Sequence, residues 1–248
     1  MSGSLQGRVA VITGASSGIG AATARLFAAE GADVALLARR VDRIEALALE
    51  LAEYGAKVLP LAADVTDPPS IAAAAERIAE ELGRVDLLVN NAGVMLLSPF
   101  EADRVAEWRQ MIDVNLTGVL ETTRVFLPAI KEGGGDIVNI SSLSGRVTFE
   151  LNSVYNATKF GLGAWSDALR KELAGTGVRV GVVEPGVTAT ELTHHIGHQE
   201  TRDTYAARYD GVERLEAADI ADAVYFIVSR PKRAAVAEIL VRPSSQKP

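Results

Sequence analysis

A chain of 248 residues with 48% hydrophobic and 23% charged side chains is long enough for one α/β domain with a full core, and its composition is that of an ordinary globular protein. The formal charge of −7 argues against nucleic acid or an anionic membrane as principal partner, and the absence of cysteine excludes disulfides and thiolate–metal sites. No run approaches the apolar length of a bilayer span and no signal-peptide pattern opens the chain, so the expectation is a cytoplasmic enzyme with no membrane partner.

The first apolar run, 9–12, reads as a buried strand. It passes directly into Thr13-Gly14-Ala15-Ser16-Ser17-Gly18-Ile19-Gly20 and then a helical pattern over 21–29. Three glycines on a strand-to-helix turn let bare backbone approach a pyrophosphate, and the helix N-terminus adds unpaired N–H groups with partial positive charge. Glycines at this spacing also serve tight turns and close helix–sheet packing, but the strand and helix on either side favour a dinucleotide site. The second strand, 33–38, ends at Ala38-Arg39-Arg40, where a dinucleotide fold would place a carboxylate on the ribose 2′-hydroxyl. Two guanidiniums there suit a 2′-phosphate instead, so the cofactor expected is NADP(H) and not NAD(H).

Helix 41–53, strand 57–62, helix 70–82 after Asp67-Pro68-Pro69, and strand 87–89 continue the alternation. Asp64-Val65 and Asn90-Asn91-Ala92-Gly93 follow the third and fourth strands and lie beside the same crevice. Asn91 is either a ligand to the cofactor or an amide that caps a turn and holds the sheet together. Gly93 lets backbone pass close to a ligand or turn sharply. One long helix is expected over 104–130, then strand 136–140, helix 154–173, strand 179–183, helix 217–228 and strand 237–241. Nearly all-apolar strands joined by helical crossovers give a doubly wound, seven-stranded parallel sheet in a single Rossmann-like α/β domain. The polar stretch 188–216 lacks a clear period and carries all three histidines, as a substrate lid would.

Tyr155 and Lys159 stand four apart, hence on one helix face. A cation held beside a phenol favours the phenolate, and a tyrosine tuned towards neutrality can give a proton to a carbonyl oxygen or take one from an alcohol. Ser142, at the end of the fifth strand, can hydrogen-bond that same oxygen. Tyr-x-x-x-Lys alone is common on helix surfaces; its combination with the glycine turn, Asn-Asn-Ala-Gly and a strand-terminal serine is not.

Taken together, Thr13-Gly14-x-x-x-Gly18-Ile19-Gly20, Asn90-Asn91-Ala92-Gly93, Asn115, Ser142, Tyr155-x-x-x-Lys159 and Pro185-Gly186 resemble the short-chain dehydrogenase/reductase family in its single-domain branch, in order and spacing, from Leu5 to Pro243. The resemblance implies an NADP(H)-dependent oxidoreductase interconverting a ketone or aldehyde and an alcohol. Tyr155 would be the general acid/base, Ser142 would orient the carbonyl, and Lys159 would bind the nicotinamide ribose while lowering the tyrosine pKa. Asn115 would interrupt its helix and hold a proton-relaying water. Gly14, Ser16, Ser17, Gly18, Ile19, Gly20, Asp64, Val65, Asn91, Ala92 and Gly93 would line the cofactor, and Pro185, Gly186, Val187, Thr188 and Thr190 would cover its nicotinamide end. Family members that use NADP often carry a further basic residue in the turn; Ser16-Ser17 stand there instead, which leaves the cationic share to Arg39 and Arg40. The intact Asn115, Ser142, Tyr155 and Lys159 set argues against a silent NADP-binding regulator or scaffold.

Glu184-Pro185-Gly186, Thr190-Glu191-Leu192, His195-Ile196 and the ending Glu238 to Pro243 are similar to a branch containing clavaldehyde (clavulanate) dehydrogenase and 3-hydroxy acid dehydrogenases. The expected substrate wall combines Val94, Met95, Leu96, Leu97, Ser144, Gly145, Arg146, Phe149 and the stretch after Thr190. Arg146 either meets a substrate carboxylate or pairs with an acid at a subunit contact. His194, His195 and His198 complete no recognised ligand spacing, so no metal is expected, and lid histidines bonding backbone or solvent fit better. The resemblance further implies a homotetramer.

Overall fold

The computed structural model describes residues 3–246. Seven strands form one parallel sheet in the order β3-β2-β1-β4-β5-β6-β7: β1 (Val9–Thr13), β2 (Asp33–Ala38), β3 (Val58–Ala62), β4 (Leu87–Asn90), β5 (Asp136–Ile140), β6 (Arg179–Pro185) and β7 (Glu238–Val241). The strand order reverses between β1 and β4, which opens a crevice at their carboxyl ends.

Strand alternation divides the apolar residues between two cores. Ala10, Ile12, Val34, Leu36, Leu87 and Val89 face helices α1 (Gly18–Ala29), α2 (Val41–Leu51) and α8 (Ala217–Val228), packing on Phe27, Ile44 and Val224. Val9, Val11, Ala35, Leu37, Leu88 and Ile137 face the other way, towards α3 (Pro68–Glu81), α5 (Gly118–Gly133) and α6 (Ser153–Glu172), and meet Ile71, Ile78, Phe126, Ile130 and Leu169. A sheet covered on both faces needs apolar residues at every strand position, which is why its strands read as continuous apolar runs.

Two departures from the sequence expectation matter for the site. The single helix expected over 104–130 is divided into α4 (Val105–Ile112), a π-helical turn (Asp113–Thr117) and α5. The division has local causes. Gly118 lies so close to Val65 that a Cβ there would come within 2.9 Å of the Val65 backbone oxygen and methyl carbon. Asn115 in the turn sends its side chain sideways to the Val94 backbone instead of along the helix.

The second departure is that 188–216 is ordered. It contains a 3₁₀ turn (Glu191–His195) and helix α7 (Gln199–Arg208), and its two ends are joined by a parallel bridge between Thr188 and Leu215. Helix α7 escaped the periodicity because it is almost wholly polar; of its residues only Thr201 is buried. No helix among the described residues is long and apolar enough to cross a membrane.

Candidate active site

Thr13, the last residue of β1, fastens the floor of the crevice. Its hydroxyl oxygen accepts from the backbone N–H groups of Asn91 and Ala92, each at 3.0 Å. The Asn91 side-chain amide donates to the carbonyls of Thr13 (2.9 Å) and Gly14 (3.2 Å), so its nitrogen ties β4 to the glycine turn. Of the two readings open for Asn91 in the sequence, the sheet-holding one describes this nitrogen, while the residue also faces the cleft.

Gly14 and Gly18 adopt left-handed φ of 66° and 52°, and a Cβ at Gly14 would sit 2.9 Å from Ala92 Cα. Gly20 has a different task. It does not line the cleft, and a Cβ there would lie 2.5 Å from both the Asn91 amide nitrogen and the Gly14 carbonyl oxygen. It is a packing glycine that lets α1 close on the turn.

The cleft has a volume of about 340 Å³ and runs from Arg39 and Arg40 at one end to Phe149, Tyr205 and Tyr209 at the other. It is lined by Gly14, Ser16, Ser17, Gly18, Ile19, Arg39, Arg40, Asp64, Val65, Asn91, Ala92, Gly93, Ser142, Tyr155, Lys159, Pro185, Gly186, Val187, Thr188 and Thr190, all singled out in the sequence. Val94, Met95, Ser144 and Phe149 of the expected substrate wall also line it, while Leu96, Leu97, Gly145 and Arg146 do not.

Ser142 and Tyr155 meet because the loop after β5 presses against α6. A Cβ at Gly145 would come within 2.8 Å of the Ser141 hydroxyl and 3.0 Å of the Lys159 carbonyl, so only glycine allows this approach. Ser142 caps the short turn Leu143–Gly145, its hydroxyl accepting from the Ser144 N–H at 3.1 Å. Lys159 Nζ donates to the Ile140 carbonyl at 2.9 Å and lies 5.8 Å from the centre of the Tyr155 ring.

Burial dominates the electrostatics of the pair. Burial pushes the Tyr155 phenol up to about 12, with hydrogen bonding from Ser142 working in the opposite direction. Burial also brings Lys159 down, to about 8. Its ammonium donates to the Ile140 carbonyl, and loss of solvation is the leading influence on both groups.

Asn115 is fully buried and lies outside the cleft lining. Its Oδ1 accepts from the Val94 N–H and its Nδ2 donates to the Val94 carbonyl, both at 2.8 Å, with a longer contact to Thr158 Oγ1. With its side chain engaged on both sides of one residue, Asn115 braces the segment after Gly93 against α6.

At the far end, Arg40 donates to the hydroxyls of Ser16 (3.0 Å) and Ser17 (2.7 Å), and Arg39 is exposed with Asp64 3.9 Å away. Burial raises the Asp64 carboxyl, but the Thr66 N–H and hydroxyl and the Arg39 charge outweigh it and leave the group below its ordinary value. Arg146 is engaged within its own chain. Its guanidinium pairs with Glu184 at 2.7 Å and with Glu238, both within the same chain. His198 caps α7, accepting from the Thr201 N–H, while His195 lines the cleft.

Several site residues were missed in the sequence. Tyr205 on α7 and Tyr209 at its C-terminal end stand i, i+4 and line the cleft, a spacing that was available to find them. Arg43 carried a similar signal, one turn into α2 after Arg39-Arg40. Gln246, whose Oε1 accepts from the Val187 N–H at 3.1 Å, carried none.

The family model described as short chain dehydrogenase matches residues 8–201. The chain belongs to the short-chain dehydrogenase family. Glycine betaine reductase of Emericella nidulans is 41% identical over 245 residues, which are 98% of this chain but only 19% of that protein, so the likeness is to a segment of a much longer chain. An uncharacterised oxidoreductase of Staphylococcus saprophyticus is 38% identical over 96% of this chain and 97% of its own length. Among solved short-chain dehydrogenases, an alcohol dehydrogenase from the archaeon Thermococcus sibiricus, complexed with 5-hydroxy-NADP, superposes with a TM-score of 0.87 at 33% identity, covering 97% of this chain and 98% of its own. Other similar short-chain dehydrogenase structures hold NADP as well, and the family binds nicotinamide cofactors. The protein is thus an oxidoreductase of this family with a single-domain Rossmann-like fold.

Proposed function

We propose that the protein is an NADP(H)-dependent reductase of ketones or aldehydes, working in reverse as an alcohol dehydrogenase, with Tyr155 as the general acid/base. The observation that carries this reading is the convergence of Ser142, Tyr155 and Lys159 in one cleft with the glycine turn and a cationic far end. The residues fit a dinucleotide. Gly14 and Gly18 keep bare, left-handed backbone where a side chain could not stand, and Ser17, at the head of α1, does not cap it, leaving the first-turn N–H groups free for a pyrophosphate. Arg39 and Arg40 would hold the 2′-phosphate, and the Pro185 to Thr190 segment the nicotinamide end.

When bound, the cofactor supplies or accepts the hydride. In the reductive direction Tyr155 gives its phenolic proton to the substrate oxygen while the Ser142 hydroxyl hydrogen-bonds the same atom. A phenol that burial keeps fully protonated at neutral pH is in the right state to donate. Lys159, beside the ring, would stabilise the phenolate left behind, and the apolar wall of Val94, Met95 and Leu192 would keep water from the reacting carbon.

Phe149, Tyr205 and Tyr209 give the substrate end aromatic faces, and Arg146 is held by Glu184 and Glu238, so these contacts support a compact neutral carbonyl over a carboxylate. The likeness to clavaldehyde and 3-hydroxy acid dehydrogenases places bicyclic lactam aldehydes and 3-oxo acids in the same NADPH-consumption screen, beside simple aldehydes and ketones. Exposed Ile112 and Phe160, on α4 and α6, and Phe226 and Leu240, on α8 and β7, support a homotetramer built on two self-contacts, which light scattering tests.

Tyr155→Phe keeps the ring and removes the proton. Turnover should fall at least 100-fold, while NADPH binding, followed by fluorescence, stays within about twofold. A variant that keeps most of its reductase activity would show that another group moves the proton.

A further inference from the structure

Glu191 opens the 3₁₀ turn that follows β6, far in sequence from the second strand, yet its carboxylate lies on the cationic end of the cleft. Arg40 Nη1 donates to Glu191 Oε2 at 2.8 Å, and Arg43 Nη1 donates to both carboxylate oxygens at 2.8 and 2.9 Å. Arg40 is the same side chain that grips the Ser16 and Ser17 hydroxyls. The two guanidiniums therefore already hold an anion, one that belongs to the protein.

We propose that Glu191 is an internal competitor for the 2′-phosphate of the cofactor, so that phosphate binding and fastening of the 191–195 turn are mutually exclusive at Arg40 and Arg43. This rests on the NADP(H) reading above and adds to it a specificity determinant, Glu191, and a third cation, Arg43. A phosphate monoester carries a charge of about −1.5 to −2 near neutral pH, and a carboxylate in the same cluster repels it. Hydrogen bonds from Arg40 and then Arg43 hold the Glu191 carboxyl down at about 2, so it is an anion at any working pH and does not escape the conflict by protonation. One of the two must leave.

The turn Glu191 fastens also carries Leu192, Thr193 and His195, all of which line the cleft. Arg40 bonds Glu191, and its positive charge adds to burial in holding the His195 imidazole below its ordinary value. Binding linkage is reciprocal, so a ligand that takes the arginines from Glu191 loosens this wall, and a fastened wall weakens the ligand. A cofactor without the 2′-phosphate makes no such demand.

The test uses the full chain and two probes that differ only in that phosphate, adenosine 2′,5′-bisphosphate and adenosine 5′-monophosphate. Calorimetric titration compares wild type with Glu191→Gln, and amide hydrogen exchange follows residues 191–196. Glu191→Gln should bind the bisphosphate about fivefold more tightly, the effect of removing two exposed ion pairs, with the monophosphate unchanged. In wild type the bisphosphate should speed exchange across the turn; in Glu191→Gln exchange is already fast and does not respond. If wild type prefers the bisphosphate but both proteins bind it equally, or if it slows exchange in the turn, the competition is refuted and the NADP(H) reading stands. If neither protein distinguishes the probes, the NADP(H) reading falls and the competition with it.

Discussion

Replacing Lys159 by methionine should change how stability depends on pH, by an amount set by the burial of the ammonium. Lys159 is 5% exposed, and burial lowers its pKa from 10.5 to about 8. Between these values the unfolded chain binds a proton that the folded chain does not, so wild-type stability rises as pH rises through the window. Integrating the two titrations, burial costs about 3 kcal/mol at pH 7 and less than half of that at pH 9.5, a gain of about 2 kcal/mol over that interval. Methionine has no such proton. The substitution also removes the bond from Nζ to the Ile140 carbonyl, worth about 1–2 kcal/mol, but that loss is nearly constant with pH and drops out of the comparison.

The assay is urea unfolding of both proteins at pH 7, 8, 8.75 and 9.5, at one protein concentration. Tyr155, pushed up to about 12, keeps its proton in the folded protein across this range, and the ionisation of unfolded tyrosines is common to both proteins and cancels in the subtraction. Methionine should be the more stable protein at pH 7, and its advantage should shrink by about 2 kcal/mol at pH 9.5. Parallel stability curves would show that the ammonium is solvated or paired in the folded protein, and the account of Lys159 as a desolvated cation would be wrong.

Three other substitutions test the scaffold. Gly20→Ala places a Cβ 2.5 Å from the Gly14 carbonyl and should cost about 1–3 kcal/mol in denaturant while weakening dinucleotide binding, because the strain falls on the glycine turn. Asn115→Ala removes both bonds to the Val94 backbone from a fully buried position; a loss of about 2–3 kcal/mol and a slower turnover at unchanged NADPH affinity are expected, read by unfolding and steady-state kinetics. Arg146→Met strips the cation from Glu184, whose pKa burial already raises; with the guanidinium half exposed the cost is about 2 kcal/mol at pH 7. That cost should shrink as pH falls towards the folded carboxyl's pKa, where the group takes up its proton, and the relative rates on neutral and carboxylate substrates should not move.

The parts of the molecule that were legible in the sequence are those whose meaning lies within one element. Every expected strand was found with its core within two residues of the expected bounds, because a sheet covered on both faces writes itself as apolar runs. Ser142, Tyr155 and Lys159 were legible because a strand end and a helical i, i+4 spacing fix where side chains go. Even the division at Asn115 was implied, although only through the family resemblance; the periodicity ran straight through it, since a π turn keeps helical character and announces itself in no residue type.

What stayed hidden depends on partners distant in sequence. Arg146 could be placed near the cleft but not paired, because Glu184 and Glu238 reach it from later strands. Arg40 could be assigned to a phosphate, while nothing near it in the chain showed that Glu191, 151 residues on, already occupies its fork. A lone residue shows that a charge exists; only the fold decides whether that charge is free. Of the three arginines given a ligand from sequence, Arg146 is paired with two carboxylates of the fold, Arg40 is contested by Glu191, and Arg39 lies exposed near Asp64. Cationic residues at a ligand site therefore have to be counted after subtracting the carboxylates the fold brings to them. By that count the 2′-phosphate end holds Arg39, Arg40 and Arg43 against Glu191 and the more distant Asp64, an excess of positive charge that is modest and depends on where one carboxylate rests.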